Sequence, residues 1–335
     1  MQGTVYRSTG SWYEVKGVDG AMYSCRIKGK FRLQGIKSTN PVAVGDRVEF
    51  EIEKKGDEEI GIINEIEERD NYIVRKSVNL SKQTHIIAAN VDQVFLIVTL
   101  NNPPTFTSFI DRFLVSAAAY QIPVILLFNK VDTYNDDQDE VVVNPETGEE
   151  MLAMTELDQV RILMQLYKSI NYDCIAISAA TGKNIELVKE KMLGKTSMFA
   201  GHSGAGKSTT ANAIQPGLEL KTKAISLQHK QGQHTTTFAE MFDLEFDARI
   251  IDTPGIKGFG VVDLEKEEIG GYFPEIFERK QDCKFHNCLH LEEPKCAVKD
   301  AVESGEIHLS RYESYVQIVN GDEDNYRADK YTTPP

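Results

Sequence analysis

The sequence predicts a multidomain chain: a small N-terminal β-barrel, a central α/β domain with a mostly parallel sheet, and a C-terminal, mostly helical module that holds a metal. Three observations predict it. Apolar and polar residues alternate in short runs over about the first 70 residues. From about residue 90, continuous apolar runs alternate with helical periodicities. Three of the five cysteines, Cys283, Cys288 and Cys296, crowd together near the C-terminus.

The barrel comes first. Val48, Phe50 and Ile52 alternate with Glu49, Glu51 and Glu53, the period-2 pattern of a half-buried strand. Similar runs lie at residues 3–7, 12–15, 22–27 and 60–66, with Gly, Asn, Asp and Pro between them. Five short strands in this length fit an oligonucleotide/oligosaccharide-binding (OB) barrel, although an SH3-like barrel has the same pattern. In the central region, strands are expected at 94–100, 123–128, 174–178, 196–200 and 248–251, and helices at 109–117, 155–170 and 184–193. Buried strands alternating with helices describe a sheet covered on both faces. Thr133–Glu150, with seven acidic and no basic residues, is expected to be a solvated loop, and the residues after about 320 a polar tail. The domains are expected at 1–75, 76–272 and 273–335.

Composition narrows the function classes. The chain has 335 residues, of which 41% are hydrophobic and 26% charged, which excludes general disorder and small disulfide scaffolds. No apolar stretch is long enough for a signal peptide or a bilayer span, so a cytoplasmic location with no membrane partner is expected. The net charge of −14 argues against indiscriminate polyanion binding. It is unevenly spread. Residues 21–45 lack Asp and Glu but carry Arg26, Lys28, Lys30, Arg32 and Lys37, and residues 71–91 carry Arg75, Lys76 and Lys82 without an acid. These read either as a solvated barrel face or as an edge facing RNA.

The chemistry lies at strand ends. Gly201-His202-Ser203-Gly204-Ala205-Gly206-Lys207-Ser208, followed by Thr209, matches G-x-x-x-x-G-K-[ST] between a strand and a helix. Backbone N–H groups of such a loop converge on phosphate oxygens. Lys207 reaches the β- and γ-phosphates, and the Ser208 hydroxyl ligates Mg²⁺. Asn129-Lys130-Val131-Asp132 follows the strand at 123–128. The Asp132 carboxylate can accept from N1–H and N2–H₂ of guanine, a donor pair that adenine lacks. Ser178-Ala179 ends another strand and can offer a backbone N–H to guanine O6. Asp252-Thr-Pro-Gly255 ends a fourth; Asp252 holds the Mg²⁺ shell through water and the Gly255 N–H senses the γ-phosphate. Ligands of open α/β sheets bind beyond the carboxyl ends of the strands, so the four pieces form one guanine-nucleotide site.

Their order in the chain is unusual. GTPases ordinarily run phosphate loop, first switch, DxxG, NKxD and then the Ser-Ala element. Here NKVD and Ser178-Ala179 come first, with helix 184–193 as the join, which describes a circular permutation.

On these motifs the chain resembles the circularly permuted ribosome small-subunit-dependent GTPase A family (RsgA, also called YjeQ or YloQ) over nearly its whole length. The resemblance implies a GTP hydrolase that acts in late maturation of the small (30S) ribosomal subunit and binds its rRNA. GTP/GDP and the small subunit are the implied partners, Mg²⁺ accompanies GTP, and the chain is expected to be a monomer. Gly232-Gln-His234-Thr235-Thr236-Thr237 occupies the first-switch position, where Thr236 is favoured for Mg²⁺ over its neighbours Thr235 and Thr237. Ile256 follows Gly255 where many GTPases carry a Gln that orients the attacking water, so another group must do so. His234 is the best candidate, and the resemblance points to the same residue; with Lys207 it forms the expected catalytic set. Cys283, Cys288, Cys296 and a histidine make a closed Cys₃His zinc set of structural type. Both His286 and His290 lie in that loop, and the family pattern favours His290. Two other classes stay open: a signalling GTPase whose barrel binds a protein, and a GTP-dependent binding module that does not hydrolyse. Replacing His234 with Ala is expected to reduce turnover sharply while GTP binding survives; phosphate release assayed beside nucleotide binding checks this.

Overall fold

The computed structural model describes residues 1–27, 41–55, 58–76, 84–136, 141–143, 150–152, 154–218, 239–252 and 264–321. The barrel consists of β1 (Gln2–Ser8), β2 (Tyr13–Gly17), β3 (Met22–Ile27), β4 (Arg47–Lys55) and β5 (Glu58–Ile66). Their order is β1-β2-β3-β5-β4, and pairing of β1 with β4 closes the ring. Only β3 and β5 run parallel. Alternation puts Val5, Val15, Val48, Phe50 and Ile63 inside with Tyr13 and Cys25. Ile52 does not follow the expected pattern and is exposed. Beyond Phe50, β4 has no β1 partner and pairs with β5 alone, and from Glu53 the two strands run on as a two-stranded ribbon.

A hairpin of β6 (Tyr72–Lys76) and β7 (Thr84–Ala89) follows, so the boundary expected after residue 75 falls at the end of β6. It leads into the central domain. There β8 (Gln93–Val98), α1 (Thr107–Ala119), β9 (Val124–Phe128), β10 (Val141–Val143), β11 (Glu150–Leu152), α2 (Glu156–Ser169), β12 (Asp173–Ala176) and α3 (Ile185–Met192) come in turn. They are followed by β13 (Thr196–Ala200), α4 (Lys207–Ile214), β14 (Glu240–Asp243) and β15 (Arg249–Asp252). The sheet order is β12-β9-β8-β13-β15-β14, parallel except for β14. β8 and β9 are buried along their whole length, which explains their unbroken apolar sequence. Residues of α1 and α2 cover one face, where Ile110, Phe113, Val160 and Tyr167 join the core. Residues of α3 and α4 cover the other, where Ile185, Val188 and Ile214 pack. The Thr155 hydroxyl accepts from the Asp158 N–H and caps α2.

The acidic stretch differs from expectation. Val141–Val143 pairs antiparallel with Glu150–Leu152, because three consecutive β-branched residues favour an extended chain even among carboxylates. Residues 137–140 and 144–149 lie outside the described residues.

Two seams join the parts. Arg7 of β1 pairs with Glu240 of β14, merging barrel and central sheet into one 11-stranded sheet. Tyr6 and Lys16 of the barrel both donate to the Asp243 carboxylate, at 2.7 and 2.5 Å. Arg69 forks onto Asp46 at 2.6 and 2.7 Å and onto the Pro41 carbonyl at 2.8 Å. The C-terminal module contains α5 (Lys266–Ile269), a 3₁₀ turn at Gly270–Tyr272, α6 (Pro274–Lys280), α7 (Ala297–Glu303) and α8 (Leu309–Asn320). Its core includes Ile269, with Leu264 packed against it, both before the boundary expected at 273. It is fastened to the central domain by Arg311 of α8, 1% exposed, which bonds Asp111 of α1 at 2.6 Å and Glu275 of α6 at 2.7 Å. Tyr167 of α2 donates to the same Asp111 oxygen at 2.8 Å. No helix among the described residues is long and apolar enough to cross a membrane.

Removing one partner of a buried ion pair strands the other charge. Arg311→Ala is therefore expected to destabilise the protein by about 3–5 kcal/mol, read as a lower midpoint in equilibrium denaturation by urea.

Candidate nucleotide site and metal centre

The sheet order places the ends of β9, β12, β13 and β15 along one edge, so four motifs that are separate in sequence become neighbours. The strand β13 ends at Ala200, and the loop from Gly201 turns into α4 with Gly206 as its N-cap. Gly201, Gly204 and Gly206 have φ of +138°, +85° and +105°. A Cβ on Gly206 would lie 2.3 Å from Asn129 Nδ2, so both the conformation and the space exclude any other residue. Within the loop, Lys207 Nζ donates to the carbonyls of Gly201 and His202 at 2.7 and 2.8 Å. The imidazole of His202 packs on Phe109 of α1, with ring centroids 4.0 Å apart. Ser203, Ser208 and Thr209 are exposed at the mouth of the loop, while Ala205 is buried.

Asn129 is the pivot between motifs. Its buried Nδ2 donates to the Ala205 carbonyl at 2.9 Å, and its Oδ1 accepts from the Ala179 N–H at 3.0 Å. The phosphate loop and the Ser178-Ala179 turn are thus held by one side chain. The Ser178 hydroxyl accepts from the Thr181 N–H at 3.1 Å and shapes that turn. Lys130 takes a positive φ of 68° and donates to the Asn102 carbonyl. Val131 is buried, and Asp132 is left exposed beside this cluster. Tyr134, which sequence reasoning missed, is buried under the turn. Its hydroxyl donates to the Asn129 carbonyl at 2.8 Å and accepts from the Leu100 N–H at 2.9 Å. An isolated tyrosine carries no spacing signal that could have revealed it.

Asp252 ends β15 close to Lys207. Burial raises the Asp252 carboxyl above its ordinary value, while Lys207 opposes the rise. Burial lowers the Lys207 ammonium, and Asp252 opposes that shift in turn. Burial and Lys207 also lower the His202 imidazole. A half-buried carboxylate near a lysine, with hydroxyls at the start of α4, is a donor set that fits a hydrated divalent cation with phosphates. Thr235, Thr236, Thr237, His234, Gly255 and Ile256 lie outside the described residues, as do Lys28, Lys30, Arg32, Lys37 and Lys82.

The second centre is in the C-terminal module. Ligand atoms of Cys283, Cys288, His290 and Cys296 all lie within 4.8 Å of one another. His290 Nδ1 is 3.3 Å from Cys296 Sγ and 3.6 Å from Cys283 Sγ, and those two sulfurs are 3.9 Å apart. Tetrahedral zinc with bonds of about 2.3 Å to sulfur separates its sulfurs by about 3.8 Å, so the set fits that ion. Burial pushes the Cys288 thiol up to about 12 and the His290 imidazole down to about 4. Three crowded sulfurs of this kind become thiolates only around a cation. His290 has a positive φ of 57°, and its carbonyl accepts from the Tyr312 hydroxyl at 2.6 Å. His286 is exposed and outside the set. Cys25 and Cys174 are core residues of β3 and β12, each pushed up to about 12 by burial.

A nucleotide-type edge on a sheet whose phosphate-loop strand follows the NKVD and Ser-Ala strands defines a circularly permuted P-loop GTPase. The RsgA GTPase family matches residues 66–262 and the RsgA N-terminal domain matches residues 2–63. The chain belongs to the RsgA GTPase family. It is 67% identical over 331 residues to the small ribosomal subunit biogenesis GTPase RsgA of Christiangramia forsetii, covering 99% of both chains. It is 60% identical to the protein of the same name from Flavobacterium johnsoniae, covering 99% of this chain and 96% of that one. Among solved structures, YjeQ from Thermotoga maritima matches with a TM-score of 0.73 at 35% identity, covering 96% of this chain and 97% of that one. YloQ, described as a circularly permuted GTPase, matches with a TM-score of 0.69 at 29% identity, covering 97% and 95%.

Stripping the metal with a strong chelator is expected to release about one zinc per chain and to lower the melting temperature. Zinc content measured beside a thermal melt checks both.

Proposed function

We propose that this GTPase acts in maturation of the small ribosomal subunit, gripping rRNA with its barrel while the nucleotide sets the orientation of barrel and zinc module. The observation that carries the reading is the convergence on one buried amide, Asn129, of the phosphate loop and the Ser178-Ala179 turn. The relatives named small ribosomal subunit biogenesis GTPase direct it to the ribosome.

In this reading the guanine lies against Asp132, whose carboxylate accepts from N1–H and N2–H₂, and against the Ala179 backbone. Exposure of Asp132 leaves that carboxylate free to meet the base. The loop Gly201–Gly206 wraps the phosphates, and the N-terminus of α4 adds its partial positive charge. Lys207 exchanges its two loop carbonyls for the β- and γ-phosphate oxygens. Ser208 and Thr236 would ligate Mg²⁺, with Asp252 holding it through water, and the ion would supply positive charge to offset that on the phosphate oxygens. His234 orients the attacking water, a task that Ile256 cannot perform. One structural zinc, held by Cys283, Cys288, His290 and Cys296, ties the loop before α7 to the rest of the module. The barrel's Arg26 stacks on Trp12, with its guanidinium 3.7 Å from the ring centre, a cation and an aromatic placed side by side at the barrel surface. The molecule works as a cytoplasmic monomer with three parts, expected from the sequence at 1–75, 76–272 and 273–335, the last of which draws Leu264 and Ile269 into its core.

Purified small ribosomal subunits are expected to raise multiple-turnover phosphate release by this protein, with binding that weakens steeply as salt rises. Absence of stimulation would favour a signalling GTPase whose barrel binds a protein.

A further inference from the structure

The seam between barrel and central sheet carries a row of charges that leads to the nucleotide site. Four residues lie directly opposite one another across four adjacent antiparallel strands. Glu14 of β2 pairs with Arg7 of β1, Arg7 with Glu240 of β14, and Glu240 with Asp252 of β15. Residues directly opposite in antiparallel strands project from the same face of the sheet. At strand spacings of about 4.8 Å, Glu240 is roughly 5 Å and Arg7 roughly 10 Å along the row from Asp252. Arg7 also lies 3.7 Å from the Glu14 carboxylate.

Two carboxylates directly opposite each other repel, and the sheet gains nothing by keeping them there. The pair makes sense where a cation is drawn to that end of the sheet. Glu240 opens β14, the strand that follows the first-switch segment, and Asp252 closes β15 beside Lys207. Arg7 is carried by a different domain and stands in register with Glu240, not with Asp252; its charge, shared with Glu14, opposes the rise that burial and Asp252 impose on the Glu240 carboxyl.

We propose that Arg7 is a positioning residue for the GTPase site, acting from the barrel: it balances Glu240 across the seam and so sets how strongly the Glu240–Asp252 pair draws Mg²⁺ to bound guanine nucleotide. The inference rests on the guanine-nucleotide reading of the site. Through this row the barrel acts on the site without touching the nucleotide. Loss of Arg7 leaves Glu240 uncompensated and makes the site more attractive to Mg²⁺. Loss of the Glu240 charge makes it less attractive and removes the group through which Arg7 acts.

The test uses the full-length chain and the fluorescent probe methylanthraniloyl-GDP, with affinity followed as MgCl₂ is titrated. Arg7→Met is expected to lower the Mg²⁺ concentration for half-maximal tightening by about two- to tenfold, and Glu240→Gln to raise it by a similar factor. Arg7→Lys, which keeps the charge, is expected to behave as the parent. In a Glu240→Gln background, Arg7→Met is expected to change nothing further. A Mg²⁺ midpoint unmoved by Arg7→Met, or moved equally whether or not Glu240 is present, overturns the proposal, because a purely structural seam residue has no need of the Glu240 charge. A parent chain that fails to bind the probe in Mg²⁺ overturns the nucleotide reading itself, whereas normal binding by the parent with unmoved variants overturns only the role of Arg7.

Discussion

The buried side chain of Asn129 donates to one loop and accepts from another, and the geometry of the nucleotide edge depends on both bonds. A side-chain amide does this from one planar unit, giving an N–H to the Ala205 carbonyl and a carbonyl to the Ala179 N–H. Both partners are buried, so losing the amide would leave two backbone groups without water or protein to satisfy them. The pocket that Gly206 leaves by lacking a Cβ is the space this amide occupies. Loop, turn and strand end are therefore mutually dependent.

Permutation changes what adjoins that site. The strand that follows the first switch, β14, is the edge of the central sheet, and an exposed edge is an invitation to pair with another strand. The barrel supplies β1 to cover it, and Tyr6 and Lys16 converge on Asp243 to fix the junction. On the other side, the residues after the Asp252 motif lead into the zinc module, whose Arg311 is locked between Asp111 and Glu275. The strand that follows the first-switch segment thus meets the barrel, and the chain after the Asp252 motif resumes in the zinc module. On this connectivity rests the proposal that the nucleotide sets the relation between the flanking domains.

Much of this was legible in the sequence because phosphate, guanine and zinc each demand particular residue types at close spacing. Gly201–Ser208, Asn129–Asp132 and the Cys283–Cys296 cluster announce themselves within a few residues. The strands β8 and β9 were equally plain, since burial on both faces leaves an unbroken apolar run. Other parts were hidden for identifiable reasons. The four-residue β14 is too short for its alternation to stand out, and β10–β11 was masked by the acidic residues around it. Ile52 obeyed the period of its strand but not its burial, because β4 has run past its β1 partner there. Tyr134 had no pattern around it at all.

By itself, the sequence pointed to the chemistry: a phosphate loop, a candidate base-reading carboxylate, a cysteine cluster for a metal and their permuted order, while the choice of His290 over His286 waited for the folded chain. It could do so because such chemistry is specified by consecutive residues. Only the tertiary structure decided the joints. Arg311 meets Asp111 across 200 residues, and the row Glu14–Arg7–Glu240–Asp252 is assembled from two domains by strand register. A pairing between distant segments leaves no period in either one, so it appears only when the chain has folded and each charge has found its partner.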